Sequence, residues 1–173
     1  MRDILKRLEH KIQSAASSAT IVSDWKKCGQ KVVFTNGCFD ILHKGHVTYL
    51  AKAAELGDKL VVGLNTDASV KRLGKGEERP VNSQDARAAV MASLEFVDLV
   101  VIFDEDTPLD LIRHLRPDVL AKGADYDPEE LNPSAKTYIQ GSKEVKEWGG
   151  SVAAIPLVAG FSTTGIIHKL KKD

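Results

Sequence analysis

The chain has 173 residues, of which 43% are hydrophobic and 28% are charged, a composition typical of one soluble α/β domain with a buried core. Its 24 basic and 24 acidic residues cancel to a formal net charge of zero. This balance disfavours a nucleic-acid-binding protein, because that class usually carries a strong basic excess.

The first element, residues 1 to about 30, is predicted to be helical. Its apolar residues recur at helical spacing, namely at Ile4, Leu5, Leu8 and Ile12. A small polar stretch at 14–20 divides it into two helices, and Gly29 ends it. We expect an N-terminal helical extension, followed by one globular domain at 31–173. An amphipathic helix can pack on a second copy, so we also expect a homo-oligomer, a dimer or larger.

Strand and helix patterns alternate from residue 31 onwards. Apolar runs predict strands at 31–35, 59–64, 98–103, 118–121 and 151–155. Caps and apolar spacing predict helices at about 44–56, 83–94, 109–115, 136–148 and 162–170, with a proline-rich loop at 125–135. Strands that are apolar on both faces indicate a parallel sheet covered by helices. The predicted fold is therefore α/β, doubly wound (Rossmann-like), with five parallel strands and with ligands beyond their carboxyl ends.

The segment at 35–46, TNGCFDILHKGH, follows the first strand and enters a helix. Gly37 permits a turn that exposes backbone N–H groups, and a helix N-terminus attracts anions. His43 and His46 are three residues apart, so both imidazoles can project from one side of the first turn. Gly45 between them leaves space for a phosphate group. The segment therefore predicts an anion site.

Helix capping and metal binding also stay open as roles for this segment on the residues alone. Each histidine could cap or pack the helix, a role as plausible here as phosphate binding, while Lys44 adds a mobile cation. A metal could bind the pair, although the segment contains no convincing third ligand. The two cysteines of the chain, Cys28 and Cys38, form no zinc pattern and predict reduced thiols.

Membrane and export signals are not found in the sequence. No apolar run approaches the roughly 18 residues that a bilayer-spanning helix needs. The charged N-terminus is not followed by the apolar region of a signal peptide. We expect a cytoplasmic protein with no membrane or nucleic-acid partner.

The run from His43 to His46 resembles the HxGH signature of the cytidylyltransferase-like nucleotidyltransferase superfamily. Further segments resemble heptose-1-phosphate adenylyltransferases in particular: 35–46, 63–71, Arg79-Pro80, 122–126 and 161–166. The resemblance runs from about residue 31 to the C-terminus and favours the stand-alone form over the form fused to a sugar kinase. One departure stands at Leu157, where glycerol-phosphate cytidylyltransferases have an arginine. Lys71, Lys75 or Arg79 would then hold phosphate.

This resemblance implies transfer of AMP from ATP to a sugar 1-phosphate, with Mg²⁺ accompanying the ATP. The implied acceptor is D-glycero-D-manno-heptose 1-phosphate, and the products are ADP-heptose, for lipopolysaccharide or surface-polysaccharide synthesis, and pyrophosphate. One alternative is a cytidylyltransferase that acts on a polyol phosphate such as glycerol 3-phosphate. Another is a non-catalytic nucleotide-binding module. A fragment of a class I aminoacyl-tRNA synthetase is disfavoured, because the chain has no room for a tRNA-binding domain.

The resemblance also implies roles for individual residues. The implied catalytic residues are His43, Lys44 and His46. The implied nucleotide-binding residues are Asn36, Gly37, Cys38, Phe39, Gly45, Lys122, Gly123, Asp125, Ser162, Thr163 and Thr164. The implied substrate-binding residues are Asp40, Asn65, Asp67, Lys71 and Arg79. No residue is predicted to bind a metal directly. Structural roles remain open for three of them: capping for Asp40, an N-cap for Ser162 and a turn for Asp125.

Overall fold

A computed structural model of the chain describes residues 3–74, 76 and 78–170. Its strands are β1 (Ile12–Gln13), β2 (Val32–Gly37), β3 (Lys59–Asn65), β4 (Leu99–Phe103), β5 (Val119–Gly123) and β6 (Ser151–Ile155). Its helices are α1 (Ile4–Glu9), α2 (Ala15–Lys27), α3 (Lys44–Ala54), α4 (Asp67–Arg72), α5 (Gln84–Ala92), α6 (Leu109–Leu115), α7 (Ser142–Glu147) and α8 (Thr163–Leu170). Lys75 lies outside the described residues.

One parallel sheet has the strand order β1-β4-β3-β2-β5-β6. From the middle of the sheet, β2, β3 and β4 follow one another in one direction, and β5 and β6 in the other. The β2–β5 pair therefore marks the point where the strand order reverses. Open α/β sheets bind ligands beside such a point, at the carboxyl ends of the strands. The predicted α/β fold with a parallel sheet is confirmed.

Apolar side chains cover both faces of this sheet. On one face, α3 and α5 pack against alternate strand residues, with Leu50 and Met91 fully buried. On the other face, α2, α6 and α7 pack around Phe34 and Ile112, which are also fully buried. Helices on both faces are therefore present, as predicted. Within the described residues, no helix has the length and apolar character needed to cross a bilayer.

The predicted number of strands was wrong, because the sheet has six strands and not five. The additional strand, β1, lies inside the segment predicted to be helical, between α1 and α2. Its two residues pair with Val100 and Val101 of β4, far along the chain. A strand of two residues has no periodicity of its own, so local sequence could not reveal it.

Two helices differ from the sequence prediction. The helix α4 was not predicted; it begins after Thr66, whose hydroxyl accepts the backbone N–H of Ser69. The helix predicted at 136–148 forms only as α7, preceded by turns. Gly141 explains the late start, because its φ of 88° is left-handed and cannot continue a right-handed helix.

Candidate active site

A cleft of about 640 Å³ lies at the carboxyl edge of the sheet, beside the β2–β5 pair. Most residues that the sequence singled out line this cleft: Asn36, Gly37, Cys38, Phe39, His43, Gly45, His46, Arg79, Lys122, Gly123, Asp125, Ser162, Thr163 and Thr164. The strands β2 and β5 end at the cleft, and α3 and α8 begin at it.

The start of α3 is organised by a pair of stacked imidazoles. His43 caps the helix, because its Nδ1 accepts the backbone N–H of His46 at 3.3 Å. The two rings lie nearly parallel, with centroids 3.7 Å apart and an interplanar angle of 17°. Phe39 meets the His46 ring edge-on at 5.3 Å. Capping and projection into the cleft, which looked like alternatives in the sequence, therefore coexist in His43.

Both histidines are held in the neutral form. Burial, together with the smaller effect of the adjacent His43, lowers the pKa of His46 to about 4. Burial also lowers the pKa of His43. Neutral imidazoles each offer one N–H donor, and a dianionic phosphate beside them would favour their protonated forms. The pair is therefore able to respond to a bound anion by taking up positive charge.

The turn between β2 and α3 begins later in the chain than predicted. The predicted turn residue, Gly37, is still part of β2, and Phe39 instead has the left-handed backbone, with a φ of 43°. A Cβ on Gly37 would lie 3.0 Å from the Phe39 ring. Gly37 is thus needed for the close approach of this ring, while strain is stored at Phe39, a pattern common at functional sites.

Gly45 lies where α3 and the segment before α8 approach each other. A Cβ on Gly45 would lie 3.0 Å from the His43 ring and 3.1 Å from the Cβ of Phe161. Phe161 also stacks on His43, with centroids 6.3 Å apart, and Lys44 Nζ lies 5.9 Å from the Phe161 ring. The exposed Lys44 does not line the cleft, although its charge stands at the rim.

The second helix N-terminus at the cleft belongs to α8. Ser162 precedes it, and its Oγ accepts the backbone N–H of Gly165 at 3.0 Å, so this residue acts as an N-cap. Thr163 is buried and Thr164 is exposed. A helix N-terminus that also carries hydroxyl groups offers several donors to an anion.

Asp40 is buried behind the cleft and paired with Arg79. Its carboxylate accepts Arg79 Nε at 3.0 Å and the backbone N–H groups of Val81 and Asn82 at 2.9–3.0 Å. Burial would raise the pKa of Asp40, but these donors hold it below its usual value. Asp40 therefore anchors the 79–82 segment and brings Arg79 to the cleft, and it does not itself line the cleft.

Arg87 of α5 is a central residue that sequence reasoning missed. Its fully buried guanidinium donates to the carbonyls of Cys38 at 2.7 Å, Asn65 at 2.8 Å and Asn82 at 3.1 Å. It also pairs with the Asp67 carboxylate at 2.8 Å. One side chain thus ties the ends of β2 and β3 to the start of α4. The sequence does hold a signal for this residue, because it is an arginine between alanines on an otherwise apolar helix face.

The end of β5 forms the other side of the cleft. Lys122 Nζ donates to the carbonyl of Asn36 at 3.3 Å and lies 5.5 Å from the Tyr126 ring. A Cβ on Gly123 would lie 2.5 Å from Asp125 Oδ1, so a larger residue there would displace the Asp125 carboxylate from the strand end. Four residues absent from the predicted site also line the cleft: Tyr49, Leu157, Val158 and Phe161. Tyr49 was detectable, since it stands one helical turn after His46.

Three predicted substrate residues lie elsewhere. Asn65 is buried, donates to Ser69 Oγ at 3.0 Å and lines a smaller neighbouring cavity. Asp67 is held by Arg87 and does not line either cavity. Lys71 is exposed on α4 and lines neither.

No group of three or more histidine, cysteine or acidic side chains that could hold a metal ion occurs among the described residues. The acid at the cleft, Asp125, is exposed, and Asp40 is occupied by its own partners. This donor set fits a magnesium ion that arrives with a triphosphate and keeps most of its water, because such an ion needs few protein ligands.

Two solved structures share this fold. The lipopolysaccharide core biosynthesis protein from Thermoplasma volcanium superposes with a TM-score of 0.57, 26% identity and coverage of 75% of this chain and 98% of that one. The pantoate-beta-alanine ligase from Francisella tularensis superposes with a TM-score of 0.59 over 92% of this chain and 76% of that one, but at 15% identity this likeness concerns the fold alone. The fold and the cleft define a Rossmann-like α/β domain with its site at the carboxyl edge.

The cytidylyltransferase-like family model matches residues 34–169. The chain therefore belongs to the cytidylyltransferase-like family, which places this domain among the nucleotidyltransferases. The curated relatives include the bifunctional protein HldE of Campylobacter concisus, 60% identical over 94% of this chain, and that of Magnetococcus marinus, 54% identical over 92%. The chain spans 31% of the length of each of these two relatives.

Proposed function

We propose that the chain transfers AMP from ATP to a sugar 1-phosphate and releases pyrophosphate. One observation carries this proposal: the stacked histidine pair at the start of α3 and the hydroxyl residues at the start of α8 line the same cleft. Both substrates are polyanions, and two helix N-termini at one cleft can hold them side by side.

The proposed acceptor is D-glycero-D-manno-heptose 1-phosphate, and the proposed product is ADP-heptose for lipopolysaccharide or surface-polysaccharide synthesis. The resemblance of five sequence segments to heptose-1-phosphate adenylyltransferases supports this choice. The relatives named HldE and the Thermoplasma volcanium protein named for lipopolysaccharide core biosynthesis support it too. A glycerol-phosphate cytidylyltransferase is less favoured, because the position of its arginine is Leu157, an apolar residue at the cleft.

In the proposed reaction, an oxygen of the sugar phosphate attacks the α-phosphorus of ATP. This oxygen is already anionic at neutral pH, so the protein needs no strong general base. Its task is to align the reactants and to stabilise the charge that develops on the α-phosphate. His43 and His46 would donate to those oxygens. Because both are neutral in the free protein, each can donate one N–H, and that hydrogen bond strengthens as the charge grows.

The remaining cleft residues divide between the two substrates. Ser162, Thr163 and Thr164 would hold the β- and γ-phosphates, while Asn36–Phe39 and Gly45 would contact the nucleotide through backbone groups. Gly123 and Asp125 would contact the ribose or the base at the end of β5, where Lys122 supplies a positive charge. Arg79, fixed by Asp40, would hold a phosphate group, and Lys44 would add charge at the rim. A magnesium ion that arrives with ATP would neutralise the triphosphate.

Pyrophosphate release tests this proposal. The purified chain is assayed with ATP and with CTP against sugar 1-phosphates, including D-glycero-D-manno-heptose 1-phosphate, and against polyol phosphates. We expect ATP with the heptose 1-phosphate to be the best pair. Faster release with CTP and glycerol 3-phosphate would contradict the substrate assignment and leave nucleotidyl transfer intact. No release with any pair would contradict the proposed activity itself.

Association into a homo-oligomer stays a prediction. Ile4 and Leu5 of α1 are 58% and 67% exposed, so they offer an apolar surface to a second copy. Sedimentation of the wild-type chain and of an Ile4→Lys, Leu5→Lys double variant tests it: we expect the variant to shift to the monomer.

A further inference from the structure

A second cavity of about 260 Å³ lies next to the cleft. We call it the side cavity: it lies between the ends of β3 and β4 and the 126–140 segment, and its lining includes Asn65, Tyr126, Tyr138 and Gln140. The cleft is large enough for a nucleotide, whereas the side cavity falls just below the usual size range for drug-sized ligands. It therefore fits a smaller molecule.

The two cavities lie on opposite faces of the sheet and meet at one partition. Phe39 and Tyr49 of the cleft belong to the apolar cluster on the α3 face, whereas Tyr126 packs against the cluster on the α6 face. Four residues line both cavities, and they form the partition: Asn36, Gly37, Cys38 and Lys122. A molecule in the side cavity would therefore reach a nucleotide in the cleft across the end of β2.

The side cavity is lined with hydrogen-bonding groups that the protein leaves unused. The hydroxyls of Tyr126 and Tyr138 and the side-chain amide of Gln140 make no hydrogen bond to another described residue. All three residues are partly buried and line the cavity. Hydroxyl and amide groups both donate and accept, which is what a polyhydroxylated ligand requires.

The charges at the side cavity match a phosphorylated ligand. Among the described residues that line it, Lys122 is the one cation, and it stands at the partition. The one acid among them, Asp106, is neutralised by Arg72, whose Nε lies 2.6 Å from its carboxylate. A phosphate group would therefore be attracted to the partition, with the polar groups of the 126–140 segment further away from the cleft.

We propose that the side cavity binds the sugar part of the phosphorylated acceptor through Tyr126, Tyr138 and Gln140, with the phosphate at Lys122; this rests on the proposed function. An acceptor phosphate oxygen then forms the new bond to the α-phosphorus of ATP in the cleft. The bond from that phosphorus to the α,β-bridging oxygen breaks, and its electron pair leaves with pyrophosphate. The nucleophile is an anion, so the step transfers no proton.

Calorimetry with a non-reacting nucleotide tests this assignment without turnover. The chain is saturated with α,β-methylene-ATP and titrated with D-glycero-D-manno-heptose 1-phosphate or with inorganic phosphate. Tyr138→Phe and Gln140→Ala should each raise the Kd of the heptose phosphate by about 3- to 10-fold, as expected for one hydrogen bond. The Kd values for α,β-methylene-ATP and for inorganic phosphate should stay within about 2-fold of wild type.

Gln30→Ala is the matched control, because Gln30 is also partly buried and lines neither the cleft nor the side cavity. Unchanged affinity for the heptose phosphate in both variants would overturn the inference. An equal loss of affinity for α,β-methylene-ATP would overturn it too. No binding of the sugar phosphate to the wild type would overturn it as well. If the variants behave as expected but the wild type releases no pyrophosphate, the inference stands and the proposed function fails. Tyr138→Phe, which removes one oxygen, keeps the test valid if Gln140→Ala does not fold.

Discussion

The two walls of the cleft are built in different ways. The β2–α3 wall, residues 36–46, is backed by buried ionic groups: Asp40 holds the 79–82 segment, and Arg87 binds the carbonyl of Cys38. The α8 wall has little behind it. Of residues 163–170, all of which the structure describes, only Thr163 is buried, and Leu157 and Phe161 before the helix are 56% and 44% exposed.

This contrast indicates that the two walls of the cleft have different roles. Transition-state stabilisation requires donors that are already in place, and the wall carrying His43 and His46 is the one with rigid support. Binding and release of a nucleotide require a wall that can adjust, and segments with few buried contacts open at the lowest free-energy cost. We therefore expect changes in the β2–α3 wall to alter stability and kcat, and changes in α8 to alter nucleotide binding.

The largest effect is expected for Arg87→Met. Methionine fills much of the same space but leaves three carbonyls and the Asp67 carboxylate without their donor. The free energy of unfolding should fall by about 3–5 kcal/mol, as for the loss of one partner from a buried ion pair. Urea denaturation measures it, with Arg113→Met as the control, because Arg113 is 54% exposed and its ion pairs should contribute less than about 1 kcal/mol. Equal losses in both variants would mean that Arg87 does not support this wall.

His46→Ala should lower kcat by about 10²- to 10³-fold, which is typical for one transition-state donor. The motivation is the stacked pair at the start of α3. Steady-state pyrophosphate release measures the change, and the melting curve checks that the fold is kept. His10→Ala, on the exposed surface, serves as the control. A decrease of less than about threefold with an unchanged melting curve would remove His46 from the catalytic residues.

Acid should destabilise the protein through His46. Its pKa is about 4 in the folded state and 6.5 when unperturbed, so between these values the unfolded chain binds more protons. The contribution of His46 to the free energy of unfolding is therefore fully present above pH 6.5 and decreases as the pH falls towards 4. Between about pH 7 and pH 5 the loss from this group should be about 1–2 kcal/mol, allowing for its partial exposure. Urea denaturation at both pH values should show a smaller difference in His46→Asn than in the wild type; the same difference in both would refute the assignment.

The smallest effect is expected at the α8 wall. Thr163→Val keeps the shape of a buried side chain but removes its hydroxyl, so the KM for ATP should rise about 3- to 10-fold. The KM for the sugar phosphate should stay nearly unchanged, and Thr20→Val on the exposed surface of α2 should change neither. An equal rise for both substrates would indicate a capping or folding role for Thr163.

Local sequence was sufficient for the features that depend on near neighbours. The strand predicted at 59–64 corresponds to β3, because a continuous apolar run of this length suits a buried parallel strand. Ser83 caps α5 as expected from its hydroxyl, which accepts the N–H of Ala86. The pairing of His43 and His46 was likewise visible, since helical spacing alone brings residues three apart together.

Tertiary structure alone decided which of these groups meet across the chain. Asp40 and Arg79 are 39 residues apart, and Cys38 and Arg87 are 49 apart, yet both contacts shape the β2–α3 wall. The strand β1 exists only because β4 offers it an edge. The 126–140 segment, a loop and a helix by sequence, became a cavity wall. Contacts of this kind leave no periodic pattern in the sequence. They depend on which strands and helices lie side by side in the fold, and not on which residues are close together along the chain.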